Sequence, residues 1–191
     1  MKIITGANDT SQLGWLSLER SHLDLRDREM WARLFRPGSV DAVLTEHVLE
    51  HLTPEEADRA ARNVYEFLRP GGYWRVAVPD ANNPSMWYQL CSRPGSVLHI
   101  IANVLYTPGE PFHRVFYKHC SLTSLLTEAG FVPRLLEWHD GEGRFHRESW
   151  NPSEGEVRRS FGHPYVTNRQ GLGGIYNLSL IVDAIKPIER L

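Results

Sequence analysis

The chain has 191 residues, 41% of them hydrophobic and 23% charged, with a formal net charge of −2. That length suits one domain with a sizeable core, since about 100 to 200 residues per domain is usual, and no apolar run approaches the roughly 20 residues that span a bilayer. Acidic and basic residues are mixed along the chain, which leaves no basic patch for nucleic acid and no sign of a membrane partner.

The opening "MKIITGANDTS" has too short an apolar stretch for a secretory signal, so the expected compartment is the cytoplasm. Cys91 and Cys120 are the only cysteines. They are too few for a disulfide framework or a thiolate metal site and are expected as buried thiols.

In chain order, "KIIT" and "WLSLE" read as short strands, and "RDREMWARLF" as a helix after "HLDL". Val40, Ala42, Val43 and Leu44 form an apolar strand without alternation, which points to burial on both faces of a parallel sheet. Thr53, Pro54 and Glu56 then spell a helix start, with Thr53 as N-cap, proline at the first helical position and Glu56 closing a capping box. Ala57, Ala60, Ala61, Val64, Tyr65 and Leu68 continue at helical spacing until "RPGG" stops the helix. "YWRVAV", residues 73–78, is the next strand. Residues 82–119 form an insertion rich in aromatics and histidine: Trp87, Tyr88, Tyr106, Phe112, His113, Phe116, Tyr117 and His119. A helix capped by Ser121 runs to Gly130, with a strand near 132–138 and another within "IYNLSLIVDAI". Residues 141–174, poor in aliphatics, read as a long loop or lid. Strands alternating with helices give an α/β class, a doubly wound, mostly parallel sheet in one domain over residues 1–191.

"TEHVLEHL", residues 45–52, holds His47, Glu50 and His51 in the order H-x-x-E-H, the zinc and general-base pattern of some metalloenzymes. That chemistry needs both histidines on one face of an unbroken helix. Pro54 and the capping box start a helix only after His51, so the stretch lies in a turn leaving a strand, and no metal ligands are assigned. The same side chains can serve as backbone-bonding polar groups. In open α/β sheets, however, ligands bind outside the carboxyl ends of strands, where this turn lies.

"DAVLTEHVLEHL…LRPGGYWRVAVPD" followed by "SLTSLLTEAGF" resembles the class I S-adenosylmethionine-dependent methyltransferases, in particular small members with a shortened first crossover. The resemblance implies a Rossmann-like methyltransferase fold with a reduced or missing first helix, and S-adenosyl-L-methionine as cofactor. It implies that Gly6 and Ala7 stand in the cofactor loop, that Glu19 holds the ribose hydroxyls, and that Asp24 accepts from the adenine amino group beside Leu25. Thr45, Glu46 and His47 would line the methionine end. For Glu19 the competing reading is a solvated strand-end charge, and for Asp24 a turn or capping role.

The chain departs from the family's G-x-G-x-G pattern in its first loop, "TGANDTSQLGW", which has Gly6 with Ala7 and only a later Gly14; either Asn8, Asp9 and Thr10 replace the missing cofactor contacts or cofactor binding is lost. No catalytic residue is assigned, with His47, His119 and Tyr117 as candidates, because methyl transfer depends mainly on positioning. The aromatic insertion can cover an acceptor pocket or simply pack as a helical flap. His146, His163, Arg158 and Arg159 can meet an anionic acceptor or remain solvated charges. The expected activity is methyl transfer to a small-molecule acceptor. The alternatives are a non-catalytic protein of the same fold that binds a partner and, last, a zinc hydrolase.

Overall fold

The apolar runs become strands where expected. The computed structural model describes residues 1–6, 10–106, 112–167 and 178–188. The chain enters on β1 (Lys2–Thr5) and passes through β2 (Trp15–Leu18) and α1 (Arg28–Leu34) to β3 (Val40–Glu46). A single 3₁₀ turn, Leu49–His51, leads into α2 (Pro54–Phe67) and β4 (Leu68–Pro79). Next come α3 (Met86–Ser92), α4 (Val97–Tyr106), α5 (His119–Glu128), β5 (Val132–His139) and β6 (Phe145–Arg147). The short α6 (Pro164–Thr167) precedes β7 (Ser179–Ile185). No helix among the described residues is long and apolar enough to cross a membrane.

Local chemistry sets the helix starts. Asp27 accepts from the N–H groups of Glu29 and Met30 at the start of α1. Thr53 and Glu56 bond each other's backbone reciprocally, the capping box read from the sequence. α5 starts three residues earlier than expected, with Lys118 at the N-cap position: Ser121 lies in its first turn, where its hydroxyl accepts from the Lys118 N–H and so locks that turn. Cys120 on this helix is exposed, contrary to the expectation of a buried thiol, because α5 turns Leu122 and Leu126 toward the core instead.

The seven strands lie in the order β2-β1-β3-β4-β7-β5-β6. β2, β1, β3 and β4 are mutually parallel, but β7 runs antiparallel to β4, β5 antiparallel to β7 and β6 antiparallel to β5. The sheet is therefore mixed, parallel on one side only. A buried charge pair accompanies the reversal. Arg75 of β4 faces Asp183 of β7 in register, with Nε to Oδ1 at 2.7 Å and Nη2 to Oδ2 at 2.8 Å. The remaining amino group donates to the carbonyls of Glu154 and Gly155.

Alternate residues of the strands feed two apolar layers, as the strand period of two requires. On one face Ile3, Val43, Trp74 and Val76 pack with Trp31 of α1, Val64 and Phe67 of α2, and Leu122 and Leu126 of α5. On the other, Ile4, Leu44, Ala77 and Ile181 pack with Val157, flanked by Trp15 and Trp150. That second face is covered by the segment around residues 150–160 rather than by a long helix. Glu137 of β5 secures the cover by accepting from Trp150 Nε1 and from the Phe161 N–H. The connection from β1 to β2 has no helix among its described residues.

Breaking the Arg75–Asp183 pair leaves a buried guanidinium without its partner. Asp183→Ala is expected to cost about 3 to 5 kcal/mol in urea unfolding, and Arg75→Met combined with Asp183→Leu to recover most of it.

Candidate functional site

β1 leads to β2 on one side, and the chain then crosses to place β3 on the other. This is a topological switch point, where the loops leaving neighbouring strands diverge and open a crevice. The register sets its geometry. Leu18, Thr5, Thr45 and Val76 form one row across β2, β1, β3 and β4. Glu19, Gly6, Glu46 and Ala77 therefore follow together at the rim. With adjacent strands about 4.8 Å apart, the backbones at Glu19 and Glu46 are separated by only about 10 Å.

Gly6 adopts φ +64°, and a Cβ built on it would lie 2.7 Å from Val48 Cγ2, so both conformation and space demand glycine. Ala7 lies outside the described residues. The Glu19 side chain is exposed, and its carboxylate has no partner among the described residues. Its backbone is fixed, since the Glu19 carbonyl accepts from the N–H groups of His22 and Leu23.

The other expected cofactor contacts are differently placed. Asp24 accepts on Oδ1 from Arg26 N–H and Nε, and on Oδ2 from Arg26 Nη2 and Arg20 Nε. The Arg26 hydrogen bonds hold its carboxyl down at about 2. Both oxygens are thus taken by the local turn and ion pair, leaving none open for an adenine amino group. Leu25 is buried, and its carbonyl accepts from Trp31 Nε1 and Asn63 Nδ2. Thr45 is buried too, its hydroxyl accepting from Trp74 Nε1 at 3.0 Å. Glu46 reaches the rim, but its two oxygens accept from the N–H groups of Arg158 and Arg159, each at 3.0 Å.

His47 is the only non-glycine residue with positive φ among the described residues, at +57°. Such strain persists only where the surroundings over-determine it. Here the His47 N–H donates to the Ala77 carbonyl, Nε2 sits 2.9 Å from Ser179 Oγ, and Nδ1 sits 3.0 Å from Glu50 Oε1. Burial, with the nearby Arg159 charge second, pushes the imidazole below its ordinary range. His47 faces a cavity of about 180 Å³, lined also by Pro79, Tyr88, Ser92, His113 and Arg159. That is below the roughly 300 to 1,000 Å³ of drug-sized sites and suits a small group.

The other two catalytic candidates do not line this cavity. Tyr117 is buried beside Asp80, and burial raises its hydroxyl. His119 has Nδ1 3.2 Å from the His139 carbonyl. His163 pairs with Glu156, and His146 of β6 stacks on Trp138 of β5 and bonds Asp140, so both are engaged away from this cavity. The H-x-x-E-H stretch forms the 3₁₀ turn and not a helix. His51 is accordingly matched with Glu50 and the distant His113, whose ligating atoms all lie within 4.8 Å of one another. No spacing of residues along the chain signals this grouping, because His113 arrives from the far end of the insertion.

Residues 15–76 match a family model described as "Methyltransferase domain". The match covers 62 of the 191 residues, and over that stretch the chain is similar to this family. The matched stretch runs from β2 into β4 and includes Glu19, Asp24 and the turn after β3. Solved structures share its fold. One chain of a Haloferax volcanii complex containing a methyltransferase activator aligns with TM-score 0.51 at 11% identity, covering 100% of this chain and 83% of its own. A Thermotoga maritima S-adenosylmethionine-dependent methyltransferase gives 0.50 at 14%, covering 97% and 81%. The CurJ carbon methyltransferase gives 0.51 at 13%, covering 97% of this chain but 41% of its own. Against two other structures the chain spans 43% and 47% of their length. No curated protein matches it significantly.

Glu46 ties the covering segment to the rim through two bonds to a charged acceptor, each worth about 1.5 to 3 kcal/mol. In Glu46→Ala, hydrogen exchange at the amides of Arg158 and Arg159 is expected to quicken by at least about tenfold, read by mass spectrometry. Unchanged exchange there would show that the segment is held by other contacts.

Proposed function

We propose that this chain binds S-adenosylmethionine at the switch point between β1 and β3 and transfers a methyl group to a small acceptor in the cavity beside His47. The observation that carries this reading is the juxtaposition of Gly6 and Glu19 on adjacent strand ends. The first is a position where the backbone alone fits, and the second is an exposed carboxylate whose acceptor sites are unclaimed among the described residues. A carboxylate there accepts two ribose hydroxyls at once, and the bare Gly6 backbone allows close approach. Thr45 and Leu25 act from beneath, as core residues that fix the rim.

When bound, S-adenosylmethionine supplies an electrophilic methyl group on a sulfonium sulfur. The rate then depends on holding the acceptor nucleophile in line, which the cavity walls Tyr88, Pro79 and Arg159 do by shape and charge. His47, kept neutral by burial, is the wall group able to receive the acceptor's proton. Its imidazole is already oriented by Ser179, whose Oγ lies 2.9 Å from Nε2.

A second reading, a binding protein on the same fold without transfer activity, is favoured by the internal engagement of Asp24 and Glu46. Calorimetric titration with S-adenosylmethionine and its demethylated product distinguishes the two when combined with a search for methylated acceptors. Binding is expected, and Glu19→Ala is expected to weaken it by roughly tenfold or more, the loss of about 1.4 kcal/mol or more of hydrogen bonding to a charged group. Binding without turnover on any acceptor supports the second reading. An absence of heat with either compound, in folded protein, overturns the first.

A further inference from the structure

We propose that Glu50, His51 and His113 form a mononuclear site for a divalent transition metal of the zinc type. One ligand atom from each converges to within 4.8 Å of the others. Small side-chain rotations close that span to the roughly 3.3 Å separation implied by metal bonds of about 2.0 to 2.2 Å. Two imidazoles and one carboxylate form a set that leaves a further position open in catalytic zinc sites, and it suits hard, all-oxygen cations such as calcium poorly.

A second, independent observation points to a ligand. Glu50 is 0% exposed, yet neither carboxylate oxygen has a hydrogen-bonded partner. His47 Nδ1 lies 3.0 Å from Oε1 but off the line of a hydrogen bond. The His51 Nδ1 is likewise buried and unpartnered. A buried carboxylate beside a buried imidazole lone pair, both unsatisfied, is costly, and one cation between them relieves both.

The surroundings are arranged as a metal site requires. His113 Nδ1 donates to the Ser92 carbonyl at 2.8 Å, which leaves Nε2 as the lone pair. The His113 N–H in turn donates to His99 Nε2, whose ring is anchored by Nδ1 to the Cys91 carbonyl at 2.9 Å. The backbone N–H groups of Arg114 and Val115 donate to the Glu50 carbonyl and clamp the two segments together. His113 also lines the small cavity, so an open position on the metal would face water or a ligand oxygen there.

The test uses full-length protein stripped with a chelator and shown by circular dichroism to stay folded, without S-adenosylmethionine. Zn²⁺ titrated by calorimetry is expected to bind one equivalent at micromolar affinity or better, and Co²⁺ to give visible absorption bands of low coordination number that Zn²⁺ abolishes. His113→Ala is expected to lose roughly 100-fold or more in affinity, beyond the 10- to 100-fold of an outer-shell change. His22→Ala, on an exposed residue outside the cluster, is expected to leave affinity unchanged. If His113→Ala fails to fold, wild-type protein decides by nuclear magnetic resonance: the ring nitrogens of His51 and His113, two of the nine histidines, should shift on adding Zn²⁺. No saturable binding by the stripped wild type, equal affinity in His113→Ala, or Zn²⁺-induced shifts confined to other histidines would overturn the site.

Discussion

The buried guanidinium of Arg75 organises the molecule. Buried in the sheet, it makes four hydrogen bonds that fix three parts of the chain together. Asp183 sets β7 against β4 in antiparallel register, and the Glu154 and Gly155 carbonyls draw the covering segment across the second face. Trp150 lies against the guanidinium plane, with the cation 4.6 Å from the ring centroid. A planar donor with this geometry is not interchangeable with lysine, whose point charge cannot bridge a carboxylate and two carbonyls in the same way.

From that arrangement follows the form of the rim. Once the cover is laid down by Arg75 and Glu137, it emerges at the carboxyl end of β3, where Arg158 and Arg159 meet Glu46. Ser179, the first residue of β7, then arrives beside His47 and orients its ring. The rim thus has two halves of different character. Toward β2 it is exposed and offers the carboxylate of Glu19, which has no partner among the described residues. Toward β4 it is enclosed by Tyr88, His113 and the strained His47.

Much of this was legible in the chain because it depends on neighbours in sequence. The capping box at Thr53 and Glu56, the helical spacing from Ala57 to Val64 and the apolar run of β3 are local signals, and each element formed where expected. Strand direction is not local. "LSLIVDAI" reads the same whether it pairs parallel or antiparallel, so the mixed character of the sheet was hidden until Asp183 met Arg75. Asp24 shows a different difficulty. Arg20 and Arg26 stand close by in sequence, but nothing there decides between an adenine contact and an ion pair. Val157 was hidden by its polar neighbours, although it seals an entire apolar layer. The grouping of Glu50 and His51 with His113 needed the return of the chain after α4, which no spacing rule anticipates.

The engagement of Glu46 has a consequence for energetics. Any molecule that seeks this carboxylate competes with the protein's own backbone, so displacing residues 158 and 159 becomes part of the affinity. By linkage the relation is reciprocal: whatever loosens that stretch strengthens the guest, and the guest loosens the stretch in equal measure. One acidic side chain thereby makes occupancy of the crevice and anchorage of its wall two faces of a single equilibrium.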